Sequence, residues 1–146
     1  MINQNTAPYA ALVLRLALGG MFVAHALLKV VVFTVPGTVQ FFESVGFPGF
    51  FAYLTIAAEL GAGVLLIAGF ATRWVALATV PILLGAAWVH LPNGWVFSAQ
   101  GGGWEYPVFL AIAAVVQSLL GDGAFALSAP RGTFRHAVAG LTGERS

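Results

Sequence analysis

Residues 74–104 read WVALATVPILLGAAWVHLPNGWVFSAQGGGW and contain no Asp, Glu, Lys or Arg. A segment crossing the hydrocarbon core of a bilayer needs about 20 predominantly apolar residues, so the first part of this stretch is long enough to span. The composition generalises the point. Of 146 residues, 60% are hydrophobic and 8% charged, with a mean hydropathy of +0.92. Soluble domains carry about 25% charge, and eleven charges do not make an aqueous surface. The expectation is an integral membrane protein of the all-α class.

Working outward, four apolar stretches emerge at about residues 9–33, 48–69, 73–91 and 106–121, all within a single membrane domain covering 1–146. They predict a four-helix bundle. Pro107 suits the first turn of the last helix, where its missing N–H costs nothing. Gly69 can stop the second helix and Thr72 can cap the third, which makes those two antiparallel neighbours. The segment PGTVQFFESVGFPGF, 36–50, is apolar at Val39, Phe42 and Val45 with Gln40, Glu43 and Ser44 between, as a short helix lying in the interface would be, at about 37–45. Residues 122–146 are too polar to span and too few for a domain. Arg73, Arg131, Arg135 and Arg145 lie outside the spans on one side, whereas segments 34–47 and 92–104 hold no Lys or Arg; the positive-inside rule then puts both termini in the cytoplasm. This implies a multi-pass protein of a bacterial or archaeal cytoplasmic (inner) membrane, its first hydrophobic segment retained because Arg15 interrupts what would be a signal's apolar core.

Composition also excludes chemistry. A net charge of +1 with six basic residues gives no stripe for a phosphate backbone, so nucleic acid is not expected as a partner. With no cysteine, thiolate metal sites, iron–sulfur clusters and thiol nucleophiles are ruled out. No tight spacing such as H-x-x-x-H is present, so no metal site is expected. Haem held by His25 and His90 is disfavoured because nothing in the sequence makes the two face each other. The Gly101–Gly103 run is read as a turn, since no Lys follows it as in a phosphate loop.

The ionisable residues inside the apolar stretches carry the remaining signal. In the first helix Arg15, His25 and Lys29 fall on one arc of about 80° at 100° per residue, so all three can face the protein interior. Charges at mid-bilayer cost at least ~2.5 kcal/mol each and are normally paired. Glu59, near mid-depth of the second helix, is the expected partner, with Arg15 and His25 both within reach. Gly19 and Gly20 would allow the two backbones to approach. With His90 ending the third helix and Glu105 and Tyr106 opening the fourth, the residues His25, Lys29, Glu59, His90, Glu105 and Tyr106 predict one polar pocket toward the outer face, built from all four helices.

The patterns RLALGGMFVAHALLK (15–29), GFPGFFAYLTIAAELGAG (46–63), the Arg73-Trp74 turn, the helix-ending His90 and GGGWEYP (101–107) together resemble the DoxX-like family of small four-helix membrane proteins, over about residues 12–128. That resemblance implies the fold and an association with membrane redox complexes, one member being a membrane subunit of a thiosulfate:quinone oxidoreductase. The expected role is a subunit binding a quinone-like molecule. Glu59 or His25 would exchange the proton, and Arg15, Lys29, His90, Glu105 and Tyr106 would contact the ligand. The identity of any cofactor stays open at this stage, as does catalysis by this chain alone. The expected partners are the lipid bilayer and other subunits or further copies of the chain. Two alternatives stand beside this reading: a structural or assembly subunit whose buried ions set helix register, and passage of a small solute or proton along the polar stripe.

Overall fold

The structure, a computed structural model, describes residues 3–127, and these are all-helical, with no strand among them. The elements are α1 (Ala7–Leu27), α2 (Val35–Ser44), α3 (Phe50–Ala68), α4 (Thr72–His90) and α5 (Glu105–Leu120). A π-helical turn, Leu28–Val32, prolongs α1, and a 3₁₀ turn, Leu91–Asn93, prolongs α4. Three of these rods are long and apolar enough to cross a membrane: Ala7–Val32, Phe50–Ala68 and Thr72–Asn93. At 1.5 Å per residue the first is about 39 Å long, more than the ~30 Å hydrocarbon core. Helix α5 has 16 residues, about 24 Å, short of that thickness.

Helix α1 packs along α3, and α4 along α5; α3 touches α4, and α1 touches α5, which closes the four rods into a ring. The tight turn between α3 and α4 has Gly69 in the left-handed conformation at φ 72°, as the sequence predicts. Thr72 is the first helical residue rather than the cap: Ala71 occupies the cap position, and the Asp122 carboxylate accepts from the Thr72 N–H at 3.2 Å. The helix limits otherwise lie within one to three residues of those expected. The exception is the upper end of α1, where the α-helix stops at Leu27 and the π turn follows. The segment 37–45 is indeed helical, as α2 from Val35. Residues 128–146, with Arg131, Arg135, His136 and Arg145, lie outside the described residues.

The distribution of side chains inverts that of a water-soluble protein. The buried set is rich in small residues, namely Ala11, Ala26, Ala52, Ala76, Ala87, Ala111 and Ala114, packed around Leu18, Phe22, Leu66 and Leu83. Arg15, Glu59, Thr79 and Gln117 are buried with them, whereas Val13, Leu54, Val64, Leu84, Trp88, Phe109, Ile112 and Leu119 face outward. Polar groups inside and bulky apolar groups outside is the arrangement a lipid solvent selects.

Small residues set the helix spacing where α1 crosses α3. A Cβ added to Gly19 would lie 2.8 Å from the Gly63 carbonyl oxygen, and one added to Gly63 would lie 2.9 Å from that of Gly19. Each glycine therefore exists to let the other backbone in. Gly20 has open space where its Cβ would be, so of the two glycines predicted at the crossing only Gly19 is used. Accordingly Gly19→Val should lower the thermal midpoint in detergent by the equivalent of about 1–3 kcal/mol, the usual cost of overpacking, while Gly20→Val leaves it nearly unchanged.

Candidate functional site

The polar interior divides into two ends. At the first, Arg15 is 1% exposed, and its guanidinium serves as a clamp on backbone oxygens. One Nη donates to the carbonyls of Leu66 (3.0 Å) and Ile67 (2.6 Å), the other to those of Ala124 (2.9 Å) and Phe125 (3.1 Å). Leu66 and Ile67 lie in the last turn of α3, where carbonyls lack intrahelical partners. Ala124 and Phe125 belong to the chain just past α5, which is also pinned by Ala124 N–H to Pro8 and Leu127 N–H to Ala68. Arg15, one of the two partners the sequence left open for Glu59, is thus used on backbone oxygens instead. An arginine has five donors; its two Nη groups are satisfied by four backbone carbonyls, while Nε is buried without a partner.

The other end holds the ion pair. Lys29 Nζ donates to both Glu59 oxygens, at 2.9 and 2.8 Å, with side-chain exposures of 17% and 8%. The expected candidates were Arg15 and His25, and the structure assigns neither. The reason is directional. Side chains of a helix lean toward its N-terminus; α1 and α3 run antiparallel, so Lys29 leans down along α1 while Glu59 leans up along α3, and they meet between. The π turn begins beside this pair. Its wider spacing takes the Phe33 N–H to Leu28, and the Lys29 carbonyl instead accepts from the Thr38 hydroxyl of α2 at 3.0 Å. Helix α2 is thereby tied to the residue that carries the cation. Thr34, which joins the two, has φ 63° and ψ 155°, a conformation costly for a β-branched residue.

One turn below Lys29 on α1, His25 uses Nδ1 on the Met21 carbonyl at 2.8 Å. Its ring stacks on Tyr106 of α5, centroids 6.1 Å apart and planes 23° from parallel. The Tyr106 hydroxyl is buried without a hydrogen-bond partner. The same Tyr106 lines a crevice of about 400 Å³ together with Trp95, Phe97, Glu105, Val108, Phe109 and Ile112, a size typical of small-molecule pockets.

Of the six residues expected in one pocket, four meet in this way: Lys29 with Glu59, and His25 with Tyr106. The other two are used by the loop. Glu105 accepts from the Phe97 N–H at 2.8 Å, and Asn93 bonds the Gly101 carbonyl at 3.0 Å beside His90 Nδ1 at 3.5 Å. Trp95 and Trp104 lock edge to face, centroids 4.5 Å apart. Arg15 lies ten residues from His25 along α1, about 15 Å away. Among the described residues no cluster of His, Asp and Glu could hold a metal ion. Reading the sequence missed Thr38, Asp122, Trp95 and Phe97; only Asp122 had a cue, sitting between two turn-forming glycines.

The DoxX family profile matches residues 10–91, more than half of the chain and every residue of α1, α2, α3 and α4 except the first three of α1. The chain belongs to the DoxX family. It is 44% identical over 75 residues to a Bacillus subtilis (strain 168) protein named "Putative oxidoreductase CatD", covering 51% of this chain and 54% of that protein. It is 34% identical over 82 residues to "Inner membrane protein YqjF" of Escherichia coli (strain K12), covering 51% of this chain and 63% of that protein. The alignments thus span between half and two-thirds of the lengths of these relatives. No solved structure is significantly similar to the chain. For this DoxX protein the ion pair gives a direct test. Lys29→Met or Glu59→Met alone strands a buried charge and should cost on the order of 3–5 kcal/mol, whereas the double variant should recover most of it; thermal unfolding of all four proteins measures the coupling.

Proposed function

We propose that this protein is a four-helix subunit of a bacterial inner-membrane redox complex that binds a quinone-like carbonyl compound at the His25–Tyr106 end of the bundle. Both termini face the cytoplasm in this reading, and α2 lies in the outer interface. The observation that carries it is the Tyr106 hydroxyl: buried, without a partner, on a ring that stacks with His25 and lines the crevice. A buried unsatisfied donor costs about 1–3 kcal/mol, and a ligand oxygen arriving through the crevice would remove that cost. The name borne by CatD as an oxidoreductase agrees with this direction.

The roles follow from the side-chain chemistry. Tyr106 donates to a ligand carbonyl oxygen and orients the headgroup between the aromatic walls of Trp95 and Phe97. Reduction of a quinone to a quinol takes up two electrons and two protons. In this reading the electrons come from a partner subunit. His25, its Nδ1 held by Met21, keeps Nε2 as the exchangeable position, which suits it to pass a proton to the ligand oxygen. Glu59, once ligand binding loosens its bond to Lys29, takes up a proton from water and passes it on, so that His25 and Glu59 together deliver the two protons. Arg15 acts at a distance, by fixing the opposite end of the bundle. His90 and Glu105 shape the loop that forms the crevice's outer wall.

The test is Tyr106→Phe, read in two ways with a short-chain benzoquinone analogue as probe. Without ligand, removing the orphan hydroxyl should leave the thermal midpoint equal or raise it. With ligand, the stabilisation seen in the wild type should vanish, and affinity should fall roughly tenfold, the worth of a single hydrogen bond of about 1.4 kcal/mol. Equal affinities for wild type and variant, or no saturable binding at all, would remove the quinone reading and leave the ion pair with a purely structural role in assembly.

A further inference from the structure

A second crevice, of about 260 Å³, opens at the other end of the bundle between the first turns of α4 and the last turn of α5, and is lined by Arg73, Trp74, Leu77, Ser118 and Leu119. It shares no residue with the His25–Tyr106 end. We propose that it is a binding site for one anionic phospholipid, with the Arg73 guanidinium on the headgroup phosphate.

Charge points there first. Among the described residues the lysines and arginines are Arg15, Lys29 and Arg73; Arg15 is buried on four carbonyls and Lys29 is paired with Glu59, so Arg73 is the exposed cation. Its donors are far from exhausted: the hydrogen bond in which it takes part is a long one, Nη2 to the Leu119 carbonyl at 3.4 Å, and a guanidinium has five N–H groups in a fork that matches phosphate oxygens. The nearby Asp122 carboxylate accepts from the Thr72 N–H and interacts electrostatically with Arg15.

Position points the same way. Arg73 lies over Gly121, where a Cβ would come within 3.1 Å of its Nε; with φ +86° that residue is glycine for conformational reasons as well. The side chain thus lies across the end of α5. Leu77 is one turn deeper on the same face of α4, about 6 Å further in, and with Leu119 it offers an apolar floor below the cation. Trp74 is 75% exposed at the level where tryptophan belts meet headgroups. The Ser118 hydroxyl adds a polar group at the rim. Cation above, hydrocarbon below and an indole alongside fit an amphipathic phosphate ester; a free inorganic phosphate would use only the first.

The experiment places the full chain in nanodiscs of phosphatidylcholine, with and without a minority of phosphatidylglycerol, and reads both the lipids retained in native mass spectrometry and the thermal midpoint. Wild type should retain one phosphatidylglycerol in preference to phosphatidylcholine and melt higher in its presence. Arg73→Gln should weaken retention roughly tenfold, the scale of a charge-assisted contact, and lose the dependence of melting on phosphatidylglycerol. Trp74→Ala, on an outward position that the core does not use, should fold normally and weaken retention severalfold, which keeps the test alive if Arg73→Gln is unstable. Equal retention by wild type and both variants, or equal retention of the two lipids, overturns the proposal. So does the same stabilisation by inorganic phosphate in phosphatidylcholine alone, which would make the site one for the free ion.

Discussion

The close crossing of α1 and α3 at Gly19 and Gly63 is the constraint on which the polar interior depends. With the backbones this near, both cations of α1 act across the same interface, one on each side of the crossing. Below it Arg15 reaches the carbonyls that end α3, and above it Lys29 reaches Glu59. A wider separation would leave a guanidinium and a carboxylate in a low-dielectric interior without partners, which is far costlier than any loss of apolar contact. The glycines contribute little packing themselves; their value lies in the ionic contacts they permit.

Much of this was legible in the residues. The charge-free run of 74–104 and the apolar stretches gave the helices, and the arc of Arg15, His25 and Lys29 gave the inward face of α1. Glu59 was recognised as the interior anion. The partner of Glu59, which the sequence leaves open between Arg15 and His25, is Lys29. Depth alone favours His25 or Arg15 for Glu59, but helical side chains lean toward their own N-terminus, so the contact falls to the residue one turn higher. The use of Arg15 was hidden for a different reason. Its acceptors are backbone oxygens, two of them in a segment with no patterning, and backbone carbonyls leave no mark in a sequence. The π turn was equally invisible, since Leu28–Val32 reads as ordinary apolar helix. His90 and Glu105 are engaged by the loop, whose internal hydrogen bonds depend on a fold of residues 94–104 that no periodicity encodes.

Buried polar atoms without a partner occur at both ends of the bundle. Arg15 Nε, the Thr72 hydroxyl and Gln117 Oε1 lie toward the clamp, and the Tyr106 hydroxyl lies at the opposite end. Left-handed backbone at non-glycine residues is likewise shared, with Ala71 and Phe125 near the clamp and Thr34 near Lys29. What distinguishes the candidate site is therefore one combination: the orphan hydroxyl belongs to a ring that stacks on a histidine and lines a crevice.

The Arg15 clamp has a consequence for biogenesis. Two of its carbonyl acceptors lie 51 and 52 positions along the chain and two lie 109 and 110. At translation rates of about 5–20 residues per second, the first helix carries its guanidinium for roughly 5–20 seconds before the final acceptors leave the ribosome. Until then the arginine needs water, lipid phosphate or the insertion machinery as a temporary host, so the lower end of the bundle is sealed only once residues 124 and 125 have been made, and a nascent chain shorter than that remains open there.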